Sequence, residues 1–260
     1  MSAILATRDD HNSPQQRRIA RERFANAQRL ENEYMRSLRY LTRQIDHIVK
    51  TMAPSGDLKN SAELQRVLSD YSRTITPWAK SVADKMLYRI AKKDEQSWSK
   101  MGLEISRALR KEIQSAPTGQ ALHKFLGEQV HLITSLPMQA AQRVHELTIE
   151  ASFNSQRASE VAKQVLETGS VTESRAKLIA RTEIARVASG LTMVRAQHIG
   201  CTHYTWRSSE DGDVRPSHKA MNGKVIEFAI MPEVEPGKRY HAGMFPNCRC
   251  WISPILPDLE

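Results

Sequence analysis

The first part of the chain carries apolar residues at alternating steps of three and four positions. This spacing places them along one face of a helix, in the manner of a heptad seam. The series comprises Phe24, Ala27, Leu30, Tyr34, Leu38, Leu41, Ile45, Ile48 and Met52. We therefore predict one long helix over residues 17–51 that packs against another helix, after a disordered tail over residues 1–16.

The pattern changes near residue 200. Before it, glycine and proline are sparse and the polar and apolar positions follow a helical period; after it, both residues are frequent. Capping residues predict helix starts at Asn60 or Ser61, Thr76, Thr118, Ser135 and Thr172. Gly200 is expected to end the last long helix. Short strands are predicted in THYTWR, NGKVIEF and CWISPI.

These patterns indicate a mainly α protein with a small C-terminal α+β module and long N-terminal helices. We divide it into a helical region, residues 17–170, and a C-terminal module with its leading helix, residues 171–256.

The chain has a formal net charge of +9 and a pI of about 9.6. Such an excess favours polyanionic partners. Without a spanning run or a signal-peptide core, we expect a soluble protein that acts without a membrane. Three cysteines in 260 residues do not provide a disulfide framework.

An arginine series lies opposite the apolar seam of the first helix. It can contact phosphates without reading bases, or it can be an ordinary solvated face, and both interpretations stay open. The candidate DNA contacts are Arg17, Arg18, Arg21, Arg29, Arg36 and Arg43.

Two sets of polar residues in the C-terminal module have a simple structural interpretation. Glu183 and Arg186 are spaced as a surface ion pair, although a buried pair that clamps the following strand is the alternative. Asp211, Asp213 and His218 can supply a base and a metal ligand, but turn chemistry is favoured, with Asp213 capping a helix that starts at Pro216.

The stretch YHAGMFPNCRCWISPIL carries the remaining candidate chemistry. His218, His241, Cys248 and Cys250 form the ligand set of a Cys2His2 zinc site, but a one-residue gap between the cysteines is unusual. We favour a metal-free structural knot without a cofactor, with both thiols on one side and Arg249 on the other. No nucleophile elbow, phosphate loop or dinucleotide fingerprint is present, so no catalytic residue is predicted.

Taken in order, the pieces AKLIARTEIARVASG, YTWRSSEDGDVRPSHKAMNGKVI and FPNCRCWISP resemble the phage Mu F-like family of head morphogenesis proteins, also called minor head or minor capsid proteins. The resemblance covers about residues 160–256. Either Asp211 or Asp213 can fill the position of the family aspartate. The residues that carry the resemblance are Arg181, Thr182, Glu183, Trp206, Asp213, Arg215, His218, Gly223, Pro246, Asn247, Cys248, Arg249 and Cys250.

This resemblance implies a non-enzymatic protein inside the procapsid of a tailed phage or prophage. It implies association with the portal protein, contact with capsid or scaffold proteins and with packaged DNA, and a role in assembly, packaging or DNA delivery. Self-association through the helices is compatible with it. Two alternatives are a metal-dependent nuclease or transferase that uses Asp213, His218 and His241, and a non-specific DNA-binding adaptor.

Overall fold

The computed structural model describes residues 4–5, 14–56, 60–101, 115–153, 158–209 and 214–257. The helices are α1 (Pro14–Met52), α2 (Ser61–Thr74), α3 (Thr76–Met101), α4 (Thr118–Phe153), α5 (Ala158–Leu166), α6 (Thr168–His198) and α7 (Pro216–Lys219). The strands are β1 (Ile4–Leu5), β2 (His203–Arg207), β3 (Val225–Glu227), β4 (Glu233–Glu235), β5 (Lys238–Arg239) and β6 (Trp251–Pro254). The predicted fold class, mainly α with a small C-terminal sheet module, is confirmed.

The predicted long helix is present as α1, which is 39 residues long. At 1.5 Å per residue it extends about 58 Å. Tyr34, Leu38, Leu41 and Ile45 of the predicted seam are buried. Beyond them, Val49 is buried while the predicted Ile48 and Met52 are half-buried. The side chain of Phe24, at the start of the series, lies outside the described residues.

Two predicted helix starts are wrong because the hydroxyls that suggested them bond inside a helix. Ser135 lies within α4, and its Oγ donates to the Leu132 carbonyl at 2.8 Å. The helix continues through Pro137, the kind of residue that usually ends or kinks one. Thr172 lies within α6, where its Oγ1 donates to the Thr168 carbonyl at 2.7 Å.

Part of the predicted disordered tail is ordered. Ile4 and Leu5 form β1 and pair with Ile226 and Val225 of β3, and α1 begins at Pro14, three residues before the predicted start. Strand pairing with a buried partner and a helix start at proline both oppose disorder here. The other residues of the tail, before Pro14, lie outside the described part of the chain.

The chain forms two compact units, each made of segments distant in sequence. Unit 2 comprises Asn32–Lys85 and Leu126–Ala180. Its core is aliphatic, and the Tyr34 hydroxyl donates to Gln129 Oε1 at 3.1 Å. Gly169 packs so close to Asp46 that a Cβ at this position would overlap the carboxylate. The core includes Leu38, Leu41, Ile45, Leu64, Leu68, Ile133 and Leu136.

Unit 1 comprises Met1–Glu31, Met86–Phe125 and Arg181–Glu260. The two units therefore differ from the consecutive regions 17–170 and 171–256 predicted above. Unit 1 contains an antiparallel sheet in the order β1-β3-β2-β6 and a separate β4-β5 hairpin. Its core gathers Trp98, Tyr204, Trp206, Phe245 and Ile252.

A buried ion pair lies within unit 1. Arg195 Nε donates to Asp94 Oδ2 at 2.8 Å, and the two side chains are 7% and 5% exposed. The Thr192 hydroxyl donates to the other carboxylate oxygen, Oδ1, at 2.9 Å. Both oxygens of the buried carboxylate are thus hydrogen-bonded, as a buried charge requires.

Across the described residues, no helix combines the length and the apolar character that crossing a membrane requires.

Candidate functional site

The end of α6 and the strand that follows it position the site. Gly200, with φ of 83°, ends the helix as predicted. The Gly200 N–H donates to the Gln197 carbonyl and the Cys201 N–H to the Ala196 carbonyl, which is the bonding of a Schellman motif. β2 then brings Tyr204 and Trp206 into the core of unit 1, both fully buried.

A glycine turn aligns the neighbouring strand. Gly223 has φ of 83°, a conformation that favours glycine. Its N–H donates to the Trp206 carbonyl, and the Trp206 N–H donates to the Lys224 carbonyl, both at 2.8 Å. Gly223 of the family motif therefore sets the register beside Trp206.

His218 lies on the short helix α7, which starts at Pro216 as predicted. The imidazole is 2% exposed. Trp206 and Phe245 both pack against it edge to face, at centroid distances of 5.8 and 5.1 Å. Because two aromatic rings hold the imidazole, its orientation is fixed by packing.

The His218 ring faces both thiols of the Cys-Arg-Cys segment. Its Nδ1 lies 3.3 Å from Cys248 Sγ and 3.5 Å from Cys250 Sγ. Both cysteines are buried while Arg249 between them is half-buried, so the predicted alternation of sides is present. The Cys250 N–H also donates to Cys248 Sγ at 3.3 Å.

The two thiols differ in acidity because they share one hydrogen bond. A side-chain hydrogen bond from the Cys250 thiol, aided by His218, lowers the pKa of Cys248 despite burial. The same bond, together with burial, raises the pKa of Cys250. Cys201 is a third buried thiol outside this cluster, and burial raises its pKa to about 12.

His241 is separate from the cluster formed by the other three predicted ligands. Its Nδ1 lies 3.1 Å from the Tyr204 hydroxyl, and the two rings pack at 5.7 Å. Burial lowers the pKa of His241. The structure thus brings together His218, Cys248 and Cys250 of the predicted set, and gives His241 a different partner.

Asn247 connects the segment to α6. Arg181 Nη1 donates to Asn247 Oδ1 at 3.1 Å, and the Asn247 N–H donates to Thr182 Oγ1 at 2.9 Å. Asn247 has φ of 59°. Asparagine tolerates this left-handed conformation better than most residues. Arg181 Nε also pairs with Glu31 at 3.3 Å, so several polar contacts fix the position of Asn247 beside α6.

The Glu183–Arg186 pair is less exposed than predicted. Arg186 donates to Glu183 Oε2 through Nη2 at 2.7 Å and through Nε at 2.9 Å. The Glu183 side chain is only 9% exposed, and Arg186 also lies over the Phe125 ring at 5.1 Å. The predicted pair is therefore present but partly buried, because Arg186 stays 27% exposed while it packs against Phe125.

Arg215 contacts the loop that leads to the cysteines. Its Nη2 donates to the Pro246 carbonyl at 3.3 Å, and its guanidinium lies over the Phe245 ring at 5.0 Å. Asp211 and Asp213 lie outside the described residues. A polar cavity of about 280 Å³ adjoins the cluster, lined by Arg181, Ser209, Val214, Arg215, His218, Asn247, Cys248, Arg249 and Cys250.

The arginine candidates on α1 are exposed wherever their side chains are described. In a regular helix, Arg18, Arg29, Arg36 and Arg43 fall within about 40° around the axis. All four are exposed, as is Arg21. The side chain of Arg17 lies outside the described set.

Comparison with known proteins finds a family that part of the chain resembles. The sequence profile described as "Phage Mu protein F like protein" matches residues 142–253. This match places the similarity to the phage Mu protein F-like family in residues 142–253. The resemblance to this head morphogenesis family is therefore confirmed over that segment.

The chain is similar to a protein of Haemophilus influenzae (strain ATCC 51907 / DSM 11121 / KW20 / Rd), which is described as "Uncharacterized protein". It is 29% identical over 159 residues. The matched region covers 61% of this chain and 34% of the relative, so the chain spans about a third of the relative's length. No solved structure matches the chain.

Some contacts of the Mu F-like segment could not be found from spacing alone. Asn247 is 65 residues from Thr182 and 66 from Arg181, and Asp94 is 101 from Arg195. For the contacts of Asn247 with Arg181 and Thr182, the order of the family motifs along the chain was the available signal. The Asp94 pair had no local signal.

Proposed function

We propose that this protein is a minor head protein of a tailed phage or prophage, located at the portal vertex inside the procapsid, and that it assists assembly, DNA packaging or DNA delivery. The observation that carries the proposal is the Mu F-like match over residues 142–253. Contacts among the motif residues within unit 1 support it: Arg181 and Thr182 bond to Asn247, and His218 faces Cys248 and Cys250.

The charge of the chain suits the interior of a head that fills with DNA. Exposed arginines on α1 can approach phosphates without reading bases. Contact with packaged DNA is therefore the second part of the proposal, and portal, capsid or scaffold proteins are its protein partners.

The test is co-expression with the portal protein encoded by the same phage or prophage. We expect the two proteins to co-purify at a salt concentration that removes non-specific electrostatic binding, and we expect images to place the added density beside the portal ring. Procapsids that lack portal should contain much less of this protein. Equal amounts in both kinds of procapsid would contradict location at the portal vertex.

The enzyme alternative makes a different prediction. His218 and His241 have different ring partners, the two thiols and Tyr204 respectively, which gives no support to a shared acid–base pair. We expect plasmid DNA to stay intact when the protein is added with Mg²⁺ or Zn²⁺. Metal-dependent cleavage that disappears in His218→Ala would favour the nuclease. A gene immediately downstream of portal and terminase genes would count against a host adaptor.

A further inference from the structure

Three candidate metal ligands from two parts of the sequence converge in unit 1. His218 Nδ1, Cys248 Sγ and Cys250 Sγ all lie within 4.8 Å of one another. All three residues are buried, with exposed fractions of 2%, 2% and 4%. The second nitrogen of His218, Nε2, is also buried and has no hydrogen-bond partner among the described residues.

The sulfur–nitrogen separations are close to those of a tetrahedral zinc site. With Zn–S bonds of about 2.3 Å and Zn–N bonds of about 2.0 Å, tetrahedral geometry places sulfur and nitrogen about 3.5 Å apart and the two sulfurs about 3.8 Å apart. The two sulfur–nitrogen distances here are 3.3 and 3.5 Å. Binding zinc would therefore require the nitrogen and the sulfurs to move apart by only about a few tenths of an ångström.

We propose that His218 Nδ1, Cys248 Sγ and Cys250 Sγ bind one zinc ion, and that its fourth coordination position opens into the cavity lined by Arg181, Arg215 and Arg249. This site has three protein ligands and excludes His241. It does not depend on the proposed role at the portal vertex.

Zn²⁺ would balance the charge of the site once both cysteines are deprotonated. Two thiolates carry two negative charges, which Zn²⁺ neutralises within a buried cluster. The N–H···S bond from Cys250 to Cys248 is of the kind that supports a ligating sulfur. Nδ1 is the nitrogen directed at both sulfurs, so metal binding would place the remaining proton on Nε2.

The cavity indicates the class of the fourth ligand. Three protein ligands with one open position are typical of zinc sites that hold water or an exchangeable ligand. Arginines line the cavity wall, and their positive charge favours an anionic oxygen ligand, such as hydroxide or a carboxylate. Arg215 is held in place by the Pro246 carbonyl and the Phe245 ring.

The first test is the zinc content of the purified full chain, measured by elemental analysis after refolding in zinc and removal of loosely bound metal. We expect about one zinc per chain. Cys248→Ser, Cys250→Ser and His218→Asn should each lose most of it. Cys201→Ser and His241→Asn make the same chemical changes at buried residues outside the cluster and should keep it.

A second measurement remains informative if a ligand variant fails to fold. Wild-type protein is loaded with Co²⁺, and we expect a tetrahedral d–d spectrum with sulfur-to-cobalt charge transfer. Acetate should shift the d–d bands if the fourth position is open to the cavity. If acetate leaves the d–d bands unchanged, the proposal that the fourth coordination position opens into the cavity is wrong.

Wild-type protein with less than about 0.1 zinc per chain and no charge-transfer band would overturn the site itself. Loss of zinc in His241→Asn equal to that in His218→Asn would overturn the three-ligand assignment.

Discussion

Asn247 serves as both a backbone and a side-chain connector. Its left-handed φ of 59° turns the chain toward Cys248, while its N–H and Oδ1 bond to Thr182 and Arg181 of α6. Few residues satisfy both demands, since glycine offers only the backbone and alanine offers neither the side-chain bond nor an easy left-handed conformation.

We therefore expect Asn247→Ala to destabilise the protein more than Asn247→Gly. The alanine variant loses a hydrogen bond worth about 1 kcal/mol and adds left-handed strain of about 1–2 kcal/mol. The glycine variant loses the bond without the strain. Urea unfolding of both variants beside wild type checks the order. Equal midpoints for the two would show that the conformation carries no cost.

His241 makes a pH-dependent contribution to stability. Burial lowers its pKa in the folded state, so below the unfolded value of about 6.5 the unfolded chain binds a proton that the folded chain does not. Its contribution is constant above that pH, and the free energy of unfolding falls as pH decreases from it toward the folded pKa.

The matched variant is His241→Asn, whose amide does not titrate in this range. Subtracting its unfolding free energy from that of wild type isolates the histidine. We expect the difference to fall by up to about 1.4 kcal/mol per pH unit below pH 6.5. A difference that does not vary between pH 5 and 8 would mean that the imidazole is protonated equally in both states.

At the scale of elements, the seam of α1 determines how unit 2 is built. Leu38 and Ile45 are both fully buried on that face. Replacing both with Asp would bury two charges at a cost of several kcal/mol. We expect loss of helicity in far-UV circular dichroism at temperatures where wild type is folded. His47→Asp, on the exposed side of the same helix, should retain it.

The contact between Asp94 and Arg195 is the second prediction at this scale. Removal of the Asp94 carboxylate breaks a buried ion pair and takes this counter-charge from Arg195, so Asp94→Ala should cost about 3–5 kcal/mol. Asp70 makes an exposed pair with Arg73 within α2, and Asp70→Ala should cost no more than about 1 kcal/mol. Equal shifts in urea midpoint would show that burial of the Asp94 pair has no energetic consequence.

Sequence periodicity predicted the elements better than the site. The seam of α1 follows from local spacing, and so does the end of α6 at Gly200. Contacts such as Asp94 with Arg195 depend on packing between distant segments, which no local pattern reports. Of the four predicted ligands, His218 contacts both cysteines because α7 places it beside Trp206. His241 instead contacts the Tyr204 hydroxyl. Cysteine and histidine spacing alone cannot distinguish the two histidines.

For the whole molecule, the net charge of +9 is the property most relevant to the proposed contact with DNA. We expect weak duplex binding without sequence preference, weakening steeply as salt rises through counterion release. Replacing Arg29, Arg36 and Arg43 with Gln should reduce the slope of log affinity against log salt by roughly one unit for each phosphate that is no longer neutralised.

The control removes the same charge from elsewhere. Arg66, Arg73 and Lys80 are exposed residues outside α1, and their replacement by Gln should change the slope much less. Equal slopes for the two triple variants would mean that net charge alone, and no face of α1, determines binding.

The discontinuity of unit 1 has a consequence for biosynthesis. Its sheet pairs Ile4 of β1 with Ile226 of β3, and Tyr204 of β2 with Pro254 of β6. All of unit 2 precedes residue 181, so its segments can leave the ribosome while β6 is still untranslated. Closing contacts over such separations is slow. The Mu F-like segment is therefore completed only after all of unit 2 has been translated, and a nascent chain stalled before Trp251 lacks the strand that pairs with β2.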